Sequence, residues 1–362
     1  MKKRILYVFR TPREHILTDV KRGLAPDSML FGLNHLREMG YQVDFFDFSY
    51  SLFNPIHPIF YPIEHFIIHQ IGMGFKLDQA TVFLPLVNRY DAIVCTGDSA
   101  GLPFLFYKYL GIIRKPVILL SSALAGALRT NLNSPVIRLY KKIIPAVTIM
   151  TVYAQIEKEF FIEKMGIPPE KFVYIPYGTD WNFFSKQTNT LKTIISAVGV
   201  DSLRDYGTFF EAVKNLNEKI IVACHPDNVK GLTIPKNVTC EFLVSHRRVR
   251  DIFRQSKIVV VPCKERLRGA GHMVVLEAAS AGRPLIVSKI EGMISAFAFK
   301  DKKHLLYVQP ESPSALTRAI HSILRQQNEA EKMGKRASDF VHNQYTSKHL
   351  ANSIAHIIDS EN

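Results

Sequence analysis

Cysteine is scarce and scattered. Cys95, Cys224, Cys240 and Cys263 stand singly along 362 residues with no CxxC pair. That argues against a zinc knuckle and a disulfide framework, and a reducing cytoplasm fits such usage best. Long apolar runs are missing as well. Arg114 and Lys115 divide the longest candidate, so no run reaches the roughly 20 residues that a membrane-spanning helix needs; the protein is expected to be soluble or to lie on a surface. The opening MKKRILYVFRTPRE has an apolar run of five residues before Arg10, too short for a signal peptide, and reads as a buried strand. Acids are in short supply: 32 Asp and Glu face 46 Lys and Arg, a net charge of +14. The excess is five over residues 1–185 and nine over 186–362. Between Arg247 and Arg268 eight basic residues meet only Asp251 and Glu265. A solvated helix face, a phosphate-bearing ligand, or nucleic acid or anionic lipid would each account for that run. Nucleic acid has the least support, because no aromatic-rich signature, zinc-finger spacing or basic tail accompanies the charge.

What is present is an ordinary globular composition, 47% apolar and 22% charged, in a chain long enough for two domains. Short β-branched runs alternate with helical patterns. ILYVF, YQVDFFDF, DAIVCTG, KPVILLSS and AVTIMTV read as buried strands, DSMLFGLNHLREMG and AQIEKEFFIEKMG as helices ending at Gly40 and Gly166. The polar stretch 179–193 interrupts the alternation and marks a linker. After it come KTIISAVG, a helix in YGTFFEAVKNL, KIIVAC, NVTCEFLV, a helix in RRVRDIFRQS, KIVVVP, a helix in GHMVVLEAASA, PLIVS and HLLYV. Two helical patterns, Ser314 to about Tyr345 and Ser347 to Asp359, finish the chain. This alternation predicts an α/β protein of two doubly wound, Rossmann-like parallel-sheet domains, 1–185 and 186–345, with a final helix over 346–362. Such domains bind ligands at the carboxyl ends of their strands, here in a cleft between the two.

One stretch carries chemistry. GAGHMVVLEAASAGRPLIVS (269–288) follows strand KIVVVP and loop CKERLR. Gly269 and Gly271 allow close approach of backbone to a ligand, and the unpartnered N–H groups of the following first turn suit an anion. Arg266 and Arg268 would add charge-assisted bonds. Glu277, six residues past Gly271 and so about 9 Å along the axis, is placed to accept hydrogen bonds from a ribose diol while the phosphates of the same nucleotide sit at the helix tip. A glutamate merely facing water is the plain alternative. A dinucleotide fingerprint is a further rival, with Glu291 as the ribose acid, but Val274 replaces the third glycine and the tight first turn is missing. His65 and His69 lack an adjacent glutamate in HExxH order and read as ordinary packed or surface histidines.

These residues resemble the retaining glycosyltransferases of family 4 (glycosyltransferase group 1), which have the GT-B fold. IPYGTDWNFF (175–184), AVGVDSLRDYGTFFEAV (197–213), VVVPCKE, LEAASAGRPLIVS and HLLYVQPESPSALTRAI follow in that family's order; the match covers about residues 172–345 well and the first half loosely. The resemblance implies two Rossmann-like domains facing across a cleft, with an acceptor on the first and a nucleoside diphosphate sugar on the second. It further implies a final helix that crosses back to the first domain, transfer with retained configuration, and no cofactor or bound metal. The chain also contains no DxD pair. The implied donor site comprises Gly199, Arg204, Arg268, Gly269, Ala270, Gly271, His272 and Glu277, with Arg204 as diphosphate clamp. A surface arginine before a helix is the alternative for Arg204. The family's sugar-contacting glutamate falls on Gly269, its strand arginine on Val200, its linker asparagine on Tyr177, and its frequent catalytic histidine near Ser122. Asp98 is the candidate to orient an acceptor hydroxyl, with a helix N-cap as its alternative.

Residues 52–75 and 134–144 combine apolar bulk with basic charge. Ile137, Tyr140 and Ile144 would align on one helix side, with Arg138, Lys141 and Lys142 elsewhere, a pattern compatible with core packing or with an anionic membrane surface. The expected activity is therefore transfer of a sugar from its nucleoside diphosphate to a saccharide or lipid-linked acceptor in polysaccharide biosynthesis. It would take place in the cytoplasm or peripherally on the inner face of the membrane. A noncatalytic nucleotide-sugar-binding protein and a nicotinamide-dependent oxidoreductase are the alternatives.

Overall fold

The computed structural model describes residues 2–47, 54–185, 192–265 and 271–361. Contacts divide the chain into two units: Met1–Thr18, Leu30–Pro176 and Leu350–Asn362 in one, Asp19–Met29 and Tyr177–His349 in the other. The first holds strands Arg4–Phe9 (β1), Gln42–Asp47 (β2), Ala92–Thr96 (β3), Val117–Leu120 (β4), Ile149–Val152 (β5) and Phe172–Tyr174 (β6). They pair in parallel in the order β2-β1-β3-β4-β5-β6. The second holds Ile194–Val198 (β7), Lys219–Cys224 (β8), Val238–Phe242 (β9), Ser256–Val261 (β10), Leu285–Ser288 (β11) and Leu306–Val308 (β12), also parallel, in the order β12-β11-β10-β7-β8-β9. The continuous apolar runs are the central strands, covered on both faces: every residue of β3 and β7 is buried. Helices Tyr206–Val213 and Pro313–Arg325 close the core of the second unit through Phe209, Phe210, Leu316 and Ile320.

The units part between Pro176 and Tyr177, nine residues before the division expected at 185/186, and again between His349 and Leu350 rather than 345/346. Hydrogen bonds account for the shift. Thr179 N–H donates to the Tyr345 carbonyl at 2.8 Å and Ser347 N–H to the Thr179 carbonyl at 2.9 Å, while Trp181 Nε1 donates to Ser338 Oγ at 3.1 Å. Residues 186–191 of the expected linker lie outside the described residues. The last helix, Ser347–Ser360, joins the first unit from Leu350 on: Tyr41 Oη donates to Asp359 Oδ2 at 2.6 Å, and Lys3 Nζ to the carbonyls of Ile358 and Glu361.

The single helical pattern expected from Ser314 to Tyr345 is two helices, Pro313–Arg325 and Gln327–Gln344, parted at Gln326, whose φ of −123° and ψ of 50° leave the helical region. The apolar stripe of residues 134–144 is core: Ile137, Tyr140 and Ile144 are buried in and beside helix Val136–Ile143, while Arg138, Lys141 and Lys142 are exposed. Of 52–75, residues 52 and 53 lie outside the described residues, and most of the rest forms helix His57–Ile71. His65 and His69 are exposed on it. Among the described residues no helix is long and apolar enough to cross a membrane.

Candidate functional site

In the second sheet the chain leaves β7 toward β8 and β9 on one side and leaves β10 toward β11 and β12 on the other. The carboxyl ends of β7 and β10 therefore bound a topological switch point, where loops diverge and leave a crevice. Gly199 follows β7, and Cys263 and Gly271 follow β10. The two loops are laced together: Asp205 N–H donates to the Pro262 carbonyl and Lys264 N–H to the Leu203 carbonyl, both at 3.0 Å.

Arg204 fills the space between them. Its side chain is 2% exposed, with Nε donating to Asp201 Oδ2 at 2.8 Å and Nη1 facing Cys263 Sγ at 3.8 Å. Two glycines make room for it. A Cβ on Gly199, at φ +152°, would overlap Arg204 Nε and Cζ; a Cβ on Gly271, at φ +81°, would lie 2.9 Å from Arg204 Nη1 and 2.8 Å from Val261 Cγ1. Both backbone angles also favour glycine. Burial opposes the arginine's charge, but its neighbours, Asp201 among them, more than offset this and hold it above its ordinary range. Burial pushes the Cys263 thiol up to about 11, so it is neutral at pH 7, and the ion pair of Arg204 is the one with Asp201. Tyr206 Oη donates to the Gly199 carbonyl at 2.7 Å and fixes the glycine from below. Asp201, Tyr206 and Cys263 escaped the sequence reading, since nothing in their spacing announces that they converge on one guanidinium.

Gly271 is the N-cap of helix His272–Ser280, with no side-chain cap, so first-turn N–H groups point out of the helix beside Arg204. Glu277 lies farther along the same helix and is half-buried. Burial pushes its carboxyl up to about 8, against a downward pull from Arg204. His272 takes a different place from the one expected for a ligand contact. Its ring is buried, packs on Tyr177 and Phe297 with centroids 5.7 and 5.3 Å away, and donates from Nε2 to the Gly292 carbonyl at 2.8 Å. Burial lowers it to about 4, so the imidazole is neutral and its side chain is committed to packing. Arg266, Arg268, Gly269 and Ala270 lie outside the described residues. The basic run upstream proves to be largely ion-paired on helix His246–Gln255: Arg248 grips Glu241 with two nitrogens, and Arg250 and Arg254 flank Asp251.

In the first unit the expectation for Asp98 needs correction. The carboxylate is buried, and Oδ2 accepts the N–H groups of Ser122, Ala123 and Leu124 at 3.1, 2.8 and 3.1 Å. Burial pushes its value up while those bonds hold it down. With three donors on one oxygen, Asp98 caps the short helix Leu124–Arg129 rather than facing an acceptor. The fold also gathers ligating atoms that the sequence kept apart: those of His57, Glu64 and Asp78 lie within 4.8 Å of one another. They are already bonded together. His57 Nδ1 and Asp78 Oδ2 are 2.7 Å apart, and Asp78 N–H donates to Glu64 Oε1 at 3.1 Å. Burial and the Asp78 side chain raise Glu64 to about 7, so a shared proton would remove one of the pair's two negative charges, and a divalent cation in its place would offset both.

Comparisons with known proteins agree with the fold of two parallel-sheet units. Residues 227–340 match the family model described as glycosyl transferases group 1. A comparison with curated protein sequences finds no match. Among solved structures, the chain is similar to sucrose-phosphate synthase from Thermosynechococcus elongatus, at a TM-score of 0.72 and 14% identity over 99% of both chains. It is similar to HepE of Anabaena in complex with UDP-glucose, at 0.69 and 13% over 99% of this chain and 100% of that one. The trehalose 6-phosphate synthase of Burkholderia multivorans gives 0.68 and 12% over 99% of each. Identities this low speak for the fold. The segment 227–340 resembles the glycosyl transferases of group 1, and the whole chain has the GT-B fold of two parallel-sheet units.

Proposed function

We propose that this protein transfers a sugar from a nucleoside diphosphate sugar to a hydroxyl of a saccharide or lipid-linked saccharide, with anomeric configuration retained. One observation carries the reading: the Arg204 guanidinium is wedged between Gly199 and Gly271 at the amino end of helix His272–Ser280, where a free positive potential meets a buried, preorganised cation. In this reading Arg204 and the first-turn N–H groups of the helix that Gly271 and His272 begin hold the two linked phosphates, Arg268, Gly269 and Ala270 complete the donor site, and Glu277 accepts from the ribose diol. In the front-face scheme that the family resemblance implies, the bond from anomeric carbon to diphosphate oxygen breaks as the acceptor oxygen bonds to the same face. The acceptor proton then passes to the departing phosphate oxygen. Such a step asks the protein for positioning and charge stabilisation rather than for a base, in keeping with Asp98 serving as a helix cap. No metal or cofactor enters this reading. The reaction belongs to polysaccharide assembly on the cytoplasmic side.

A noncatalytic nucleotide-sugar-binding role is favoured by one fact, that the side chain expected to orient the acceptor is spent on capping. A thermal-shift panel of UDP, GDP, ADP and NAD, with and without chelator, tests both readings together with a donor-hydrolysis assay. A cognate nucleotide at a hundred times its Kd stabilises by about 2.7 kcal/mol. Stabilisation by NAD alone would reject the donor reading. Nucleotide binding with neither donor hydrolysis nor transfer to any of a panel of saccharides would select the binding protein.

A further inference from the structure

Helices His57–Ile71 and Leu77–Val87 of the first unit are inside out. Their only acids, Glu64 and Asp78, are each 2% exposed and turned toward one another. The outer surface is largely apolar instead, with His65 and His69 its exposed polar side chains: Ile59, Tyr61, Ile63, Phe66 and Ile68 are 42–70% exposed on the first helix, and Val82 and Leu86 extend the surface on the second. No exposed carboxylate and no lysine or arginine interrupts either helix. Ordinary surface helices show the reverse pattern, and a contiguous apolar face of this kind marks an interaction surface.

We propose that these two helices lie against an anionic lipid bilayer, their outer face entering the boundary between headgroups and acyl chains. Charge complementarity selects the bilayer over other occupants. Gln70 at the end of the first helix contacts Ser134 Oγ at 3.1 Å, and Phe75 in the intervening turn stacks on Tyr140 with centroids 6.2 Å apart. Helix Val136–Ile143 is thereby seated beside the apolar face, with Arg138, Lys141 and Lys142 exposed to solvent. Apolar residues flanked by cations and free of exposed acids complement anionic headgroups over acyl chains. A second copy of the chain would bring the same cations and repel them. Tyr61 among the aliphatic residues suits the headgroup level, where an apolar ring with a polar tip is most stable. The inference goes beyond the donor-site reading and uses none of its residues.

The test is co-sedimentation of the full chain, without nucleotide, with vesicles of phosphatidylglycerol and phosphatidylcholine or of phosphatidylcholine alone. The wild type is expected to pellet with the anionic vesicles. Ile63→Asp with Phe66→Asp should weaken that binding roughly a hundredfold or more. Arg138→Gln, Lys141→Gln and Lys142→Gln together should weaken it roughly tenfold or more and erase the preference for anionic lipid. All five side chains are solvent-facing, so circular dichroism and the thermal midpoint should stay at wild-type values. UDP affinity, measured on the same samples, should also be unchanged, which separates failure here from failure of the donor site. Wild type left in the supernatant with anionic vesicles would overturn the proposal. So would equal binding by the aspartate variant, or a concentration-dependent dimer that this variant dissociates in the absence of vesicle binding.

Discussion

Arg204 is held by contacts that depend on a planar fork and on two absent side chains. Lysine has neither the plane to lie on Gly199 nor a second nitrogen for Cys263. Arg204→Lys and Gly199→Ala should each weaken nucleotide binding by roughly tenfold or more, the worth of about one charge-assisted hydrogen bond. Calorimetric titration of UDP reads this, and unchanged affinity in both variants would move the phosphates elsewhere. Glu277 supplies a pH signature at the same scale. Its carboxyl rises from 4.5 to about 8 on folding, so between those values the folded chain binds more protons than the unfolded one. Stability from this group is therefore greatest below about 4.5 and falls as pH rises toward 8. A ribose diol favours the ionised carboxylate, so nucleotide binding near pH 7 should release part of a proton. The binding enthalpy should then depend on the buffer's ionisation enthalpy in the wild type and lose that dependence in Glu277→Gln. Equal dependence in both proteins would remove Glu277 from the site.

Elements are decided by their ends and by what covers them. Asp98 begins the helix Asp98–Tyr109 and holds the start of another, Leu124–Arg129, through three N–H groups. Asp98→Ala should cost about 1–3 kcal/mol in urea unfolding, because those buried donors lose their acceptor, while UDP affinity stays at the wild-type value. A fall in UDP affinity as large as that of Arg204→Lys would restore a ligand role to Asp98. At this scale the strands were the more legible part. Runs such as IIVAC and IVVV can satisfy themselves only by burial on both faces, and they lie in β8 and β10. β6, Phe172–Tyr174, is three residues long and has no period to read. Helices His57–Ile71, Leu77–Val87 and Asp98–Tyr109 were harder for a different reason. Each contains an interior proline, Pro62, Pro85 and Pro103, which ordinarily signals an end. The first two also turn apolar residues outward, which erases the usual amphipathic period.

Across the whole molecule the +14 charge divides into parts with different consequences. Arg248, Arg250 and Arg254 of helix His246–Gln255 are met by Glu241 and Asp251, whereas Arg204 is buried and poorly screened. Raising salt from about 0.1 to 1 M should therefore weaken UDP binding only about threefold or less, since the Debye length governs exposed charges far more than buried ones. A steep loss would assign the phosphates to exposed loop cations instead. The alternation of strands and helices, the two-domain division, the glycines around the candidate site and the family model that residues 227–340 match were written in the sequence. They are local matters of period, chirality and spacing. Only the tertiary structure decided that Arg204 rests between Gly199 and Gly271, that His272 and Asp98 serve packing and capping, and that Glu64 and Asp78 face inward beneath an apolar surface. Each of those depends on which groups distant in the chain arrive within hydrogen-bonding or van der Waals reach, and on which polar atoms burial then obliges to find partners.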